Sequence, residues 1–218
     1  MIDIKTIILL IVISALTVGP VQLMAARRYQ GHIGRSMQFW ACGFIASGLG
    51  NLLIVLRPSI PDFYSRVVGN SLILLSFIGY NYAIRQLKQE PAHSKYYITV
   101  ISLHCVFYYY FLTINDTILP RMIWSNLCLI AILLPLCRDL FVNIPPEKRS
   151  TYWSLGLLFS WIVVVLAGRI FVISTGYHSA YIELNDPAVQ SFLLKSAFIV
   201  SVISGLFFML MASDEFAA

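Results

Sequence analysis

WACGFIASGLGNLLIVLRPSIPDFYSRVVGNSLILLSFIGYNYAIR, residues 40–85, is the stretch whose reading decides the fold. It is two long apolar runs joined by the short turn Arg57-Pro58-Ser59-Ile60-Pro61-Asp62. Each run is long enough to cross a bilayer, which takes about 20 helical residues. Gly43 and Ser47 stand four apart, as do Ala46 and Gly50. Small residues at that spacing let two helix backbones approach closely inside lipid. The prolines end one helix and restrain the start of the next. Arg57, Arg66, Asn51 and Asn70 cluster about the turn, where polar groups in or near a membrane are costly. The stretch reads as a membrane hairpin with a polar corner.

Composition extends that reading to the whole chain. The 218 residues are 59% hydrophobic and 11% charged, against about 25% charged in a soluble domain. A soluble core could not hide so much apolar surface, so lipid must cover it. The net charge of +5 therefore speaks to topology and not to nucleic acid. The first apolar run continues too far for a signal peptide and lacks a small-residue cleavage site. Cys42, Cys105, Cys128 and Cys137 sit singly inside apolar runs, as small buried side chains do.

Seven spans follow, at about residues 4–26, 36–56, 63–87, 96–114, 118–141, 151–175 and 188–212. Gly19 and Pro20 interrupt the first and invite a kink. Arg27, Arg28, Arg35, Arg85, Lys88, Lys95, Arg138, Lys148 and Arg149 all fall in connections on one side. The opposite side has only Lys5, Arg57, Arg66 and Arg121. The positive-inside tendency then places the N-terminus outside and the C-terminus in the cytoplasm of an inner membrane. The expected fold is an all-α, polytopic bundle of seven transmembrane helices. Residues 1–212 form it, and 213–218 begin a cytoplasmic linker helix.

Polar residues inside the spans gather toward the outer half. Arg57, Asn70, Arg121, Trp124, Arg169 and Lys195 are the candidate ligand-binding residues. Together they suggest a cationic, aromatic-rimmed outer cavity for a small anionic or amphipathic molecule. The plainer alternative has the arginines snorkelling to headgroups, with Arg169 or Lys195 paired to the loop acids Glu183 or Asp186. A lysine in the last of seven helices also invites a retinal Schiff base. That chemistry needs a buried carboxylate counter-ion, and no Asp or Glu lies at comparable depth. His104 and Cys105 point in different directions on a helix and cannot chelate one metal together. Tyr108-Tyr109-Tyr110-Phe111 reads as an interfacial aromatic belt. No catalytic constellation, phosphate loop or zinc motif appears, so neither catalysis nor a cofactor is expected of this chain.

Ala197, Ser201 and Gly205 form a small-residue stripe on the seventh helix, a surface for another helix or a second protomer. That helix then runs through Met211-Ala212-Ser213-Asp214-Glu215-Phe216 without a proline or glycine stop. It is expected to continue as a rod toward a cytoplasmic partner, and the stop at Ala218 reads as a cut.

Three stretches carry a resemblance to a known family. They are the opening Met1-Ile2-Asp3-Ile4-Lys5-Thr6, the run from Trp40 through Gly48-Leu49-Gly50-Asn51 to Arg57-Pro58, Pro61-Asp62 and Gly69-Asn70, and the exit Gly205 to Glu215. In these the chain resembles the N-terminal membrane sensor region, of the MASE type, of bacterial GGDEF-type diguanylate cyclases. The resemblance implies a signal-input module whose last helix drives a dimeric output domain making cyclic di-GMP. The cyclase domain itself is absent: no glycine pair precedes Asp214-Glu215-Phe216. The expected partners are thus lipid, a small ligand and a C-terminal output domain, with a homodimer through the last helix left open. A small anion transporter or channel is the alternative. Against it stand few polar residues in the inner half and no matched pair of broken helices. A purely structural anchor is a third reading, and it leaves the outer charges unexplained.

Overall fold

A computed structural model describes residues 4–114, 118–174 and 187–217; for residues 4, 5, 187–198, 201 and 217 it describes the backbone alone. The described residues fold into seven α-helices: α1 (Ile4–Ala26), α2 (Gly31–Val55), α3 (Gly69–Leu87), α4 (Ser94–Thr113), α5 (Ile118–Phe141), α6 (Arg149–Ser174) and α7 (Pro187–Ala217). A 3-10 turn at Arg57–Ser59 and a π-helical turn at Phe63–Val68 join α2 to α3, and a second 3-10 turn at Pro146–Lys148 leads into α6. The bounds expected for the first and fifth spans match α1 and α5. The second helix begins five residues earlier than expected, at Gly31, whose positive φ of 68° turns the chain out of α1.

Five segments are long and apolar enough to cross a membrane: Thr6–Ala26, Gly31–Val55, Phe63–Leu87, Ile118–Phe141 and Pro146–Ser174. This is an all-α, multi-pass membrane architecture. Neither α4 nor the described part of α7 enters that group. In α4 the reason is composition, because Lys95, His104 and its tyrosines lower the mean hydropathy.

Six helices close a ring in the order α1, α2, α3, α5, α6, α7 and back to α1. Helix α4 lies outside it, in the groove between α3 and α5. The tightest contact is α2 on α3, for the reason the glycine spacing suggested. A Cβ on Gly43 would come within 2.8 Å of the Ser76 carbonyl, and one on Gly50 within 2.7 Å of the Gly69 carbonyl. Gly79 faces Gly43 from the other side, with Gly43 Cα 3.2 Å from where its Cβ would stand. Backbones this close leave no room for a side chain.

An aromatic layer fills the ring on its basic half. Trp40 is wholly buried, stacked on Phe208 at 4.1 Å and tilted against Tyr80 at 4.4 Å. Phe44, Phe77 and Phe159 pack around them. Counting helical rise, Trp40, Tyr80, Phe159 and Phe208 each lie roughly 10–15 Å from the basic end of their helices. The layer thus joins α2, α3, α6 and α7, and at its centre Trp40 Nε1 is buried without a hydrogen-bond partner among the described residues.

One expectation needs correction. Cys128 and Cys137 are buried, but Cys42 is exposed on the outside of the bundle, where a polarizable thiol faces lipid as readily as core. In the small-residue stripe of α7, Gly205 packs against another helix, the first of the two partners expected for it. A Cβ there would stand 3.1 Å from Phe44, so this glycine serves packing within the ring. Ala197 and Ser201 have side chains outside the described residues.

Candidate functional site

The corner between α2 and α3, at the end away from the basic one and so the outer end of the expected topology, is built by its prolines. Pro61 offers its carbonyl to the amides of Tyr64 and Ser65, which opens the π turn. That wider turn places Arg66 over Asp62, with Nε 2.9 Å from the carboxylate, and Arg57 Nε reaches the same oxygen at 3.7 Å. A turn further on, the Asn70 side-chain amide donates to the Arg66 carbonyl at 2.6 Å and to the Tyr108 hydroxyl of α4 at 3.2 Å. Tyr108 is buried, with the guanidinium groups of Arg121, Arg57 and Arg66 all within electrostatic reach. Arg121, on the first turn of α5, is only 6% exposed, far deeper than a snorkelling residue. So the charges of three arginines act on a single buried phenol, and Asp62 pairs with two of them, Arg57 and Arg66.

Below this corner the seam between α4 and α5 holds buried polar atoms that lack partners. His104 is fully buried beside the Tyr108 ring, and neither imidazole nitrogen has a hydrogen-bond partner among the described residues. The same holds for Trp124 Nε1, whose ring packs on Phe107 at 4.5 Å, and for Asn126 Nδ2. Each such atom left unmatched costs about 1–3 kcal/mol, so a run of them marks a place where water or a solute is welcome.

Of the six residues expected to line one cavity, Arg57, Asn70 and Arg121 come together around Tyr108, and Trp124 lies a turn further along α5. Arg169 stands apart. It continues the core-facing stripe of α6 after Leu155, Phe159, Ile162 and Leu166, and α6 has no substantial interface with α3 or α4. Its Nε is buried without a hydrogen-bond partner among the described residues. The Lys195 side chain and the loop residues Asp116, Glu183 and Asp186 lie outside the described residues.

Sequence reasoning missed a second polar centre, at the basic end. Arg85, in the last turn of α3, grips Asp139 of α5 with both arms of its guanidinium, at 2.7 and 3.1 Å, and its third nitrogen donates to the Pro91 carbonyl. Both side chains are 7% exposed. Lys88 donates to the carbonyls of Asp139 and Val142, satisfying the end of α5, and pairs with Glu90 at 3.2 Å. One turn up, Asn81 donates to the Ile132 carbonyl and accepts from Tyr97. Pro135 has no N–H to give the Ala131 carbonyl, and Tyr96 donates to it instead at 2.8 Å. A proline within an apolar run was the available signal, since it frees a carbonyl that must find a donor elsewhere.

The last turn of α7 is also held at this end. Glu215 pairs with Lys148 at 2.8 Å and accepts from the Tyr152 hydroxyl at 3.3 Å. Phe216 sets its edge against Tyr29, 5.2 Å between ring centres. Helix α7 therefore runs past the aromatic layer and docks between the α1–α2 turn and the start of α6.

Among the described residues no three His, Cys, Asp or Glu side chains are grouped to hold a metal ion. In comparisons with known proteins, no family model, curated protein or solved structure matches the chain.

Proposed function

We propose that this chain is a membrane-embedded signal-input domain that binds a small anionic or amphipathic molecule in its outer half and relays that event through α7. In this reading α4 and α7 cross the membrane as well, giving seven spans. The basic end then lies in the cytoplasm and the N-terminus outside. The observation that carries the reading is the contrast along the bundle axis. The outer half holds clustered arginines and a run of unmatched buried polar atoms on His104, Trp124 and Asn126, where the basic half has two scattered ones among the described residues, on Gln22 and Trp40. The inner half is filled by the Trp40–Phe208 layer. Helix α7 contributes Phe208 to that layer and carries Glu215 beyond it to the basic end.

An anion entering among Arg57, Arg66 and Arg121 gains most where the low dielectric strengthens its attraction. It shifts the bundle only by as much as it prefers one helix packing over another, and a coupling of about 1–3 kcal/mol suffices for a switch. The output domain is a cytoplasmic partner such as a diguanylate cyclase. By itself the chain is no enzyme in this account. Transport of an anion is the second reading, and the large, tightly packed side chains of the Trp40–Phe208 layer weigh against it.

The reading is tested by joining a diguanylate cyclase domain after residue 217 and measuring cyclic di-GMP in cells given medium-chain carboxylates such as decanoate. Output should respond, and Arg121→Met or Lys195→Met should abolish the response without loss of membrane insertion. A response unchanged in both variants would refute the site. Decanoate uptake by proteoliposomes of the chain would favour transport.

A further inference from the structure

A cleft of about 490 Å³ opens between α3, α4 and α5 at the basic end, on the opposite half of the bundle from the outer corner. Its size falls in the range of small-molecule sites, about 300–1,000 Å³. The walls are apolar: Ala131, Leu134, the Pro135 ring and the ring of Tyr96. Their arrangement follows from the proline. Because Tyr96 must reach the carbonyl that Pro135 leaves free, its ring is drawn across the α4–α5 seam and forms one side of the cleft. Leu134 is 54% exposed and forms the lip toward lipid. At the basic rim stand Arg138 and His93, both exposed, neither with a side-chain partner among the described residues. Arg85 and Asp139 close the floor as a matched pair, so they add little net charge. Lys95, on the first turn of α4, is also without an acidic partner among the described residues.

We infer that this cleft binds an anionic glycerophospholipid from the leaflet at the basic end. Its phosphate sits at Arg138 and His93, and the start of an acyl chain lies along Leu134 and Pro135. A soluble anion would gain the charges but nothing from the apolar walls. A zwitterionic lipid would fill the walls but bring no net charge for the cationic rim. Basic pockets between membrane helices on the cytoplasmic side suit anionic headgroups for this reason. The inference needs the membrane architecture and not the outer ligand site, so either can fail alone.

The test uses the purified full chain in detergent, titrated with dioleoyl phosphatidylglycerol, dioleoyl phosphatidylcholine or inorganic phosphate, with bound lipid read by native mass spectrometry. Phosphatidylglycerol should be retained in preference to phosphatidylcholine, and inorganic phosphate should not displace it. Arg138→Gln should weaken retention about fivefold, the value of one basic side chain at a membrane surface. Leu134→Trp, which fills the cleft and leaves the charges, should abolish retention. Arg35→Gln, an exposed basic-end change away from the cleft, should leave it unaltered. Equal binding of the two lipids, equal loss in Arg35→Gln, or retention unchanged in both Arg138→Gln and Leu134→Trp would overturn the assignment. Displacement by phosphate would do the same.

Discussion

The two polar centres of this bundle are built on opposite rules. At the basic end, Arg85, Lys88 and Lys148 each meet a carboxylate, and the carbonyl freed by Pro135 has its donor. At the outer end Arg57 and Arg66 share Asp62, and His104, Trp124 and Asn126 keep polar atoms in a buried seam that have no hydrogen-bond partner among the described residues. The first arrangement is a clamp, complete without a ligand. The second leaves polar atoms of His104, Trp124 and Asn126 buried without a hydrogen-bond partner among the described residues, which is costly.

Substitutions can break that comparison. The largest effect is expected at Asp139. Asp139→Ala leaves Arg85 buried without its counter-ion and should cost about 3–5 kcal/mol, seen as a large drop in the detergent melting temperature. Removing both charges, Arg85→Met with Asp139→Leu, should restore most of the loss, since a buried pair is often no better than packed apolar groups. If the double variant is as unstable as the single one, the pair is not the clamp. Next comes Tyr96→Phe, which strips the donor from the Ala131 carbonyl and should cost about 1 kcal/mol in the same melt. His104→Leu at the outer end should do least, staying within about 1 kcal/mol of the parent or raising stability. A loss above about 2 kcal/mol there would mean that His104 is fully bonded and the outer seam is a second clamp.

Much of the fold was legible in the sequence because it depends on local pattern. The hairpin, its proline corner and the facing glycines of α2 and α3 follow from spacing along one stretch. Arg85 and Asp139 could not be paired this way. They stand 54 residues apart, and their meeting requires that α3 adjoin α5 while α4 is displaced outward. Nothing in helix order predicts that displacement. The same limit applies to the outer site. Arg57, Asn70 and Arg121 were read as neighbours from shared depth, which the corner and the α5 start made reasonable. Depth alone says nothing of which face a residue takes, and Arg169 sits on a helix that does not adjoin that corner. Gly205 repeats the lesson: a stripe of small residues announces close packing but not whether the neighbour is Phe44 or a second protomer.

Helix α7 links the two ends, so its last turn is where the account is most exposed. Hydrogen–deuterium exchange over residues 210–217 of the purified chain, with and without decanoate, tests the relay directly. Exchange there should change when decanoate binds and should not change in Arg121→Met. Decanoate binding that depends on Arg121 yet leaves exchange around Glu215 and Phe216 unaltered would contradict the relay, and with it the signal-input reading.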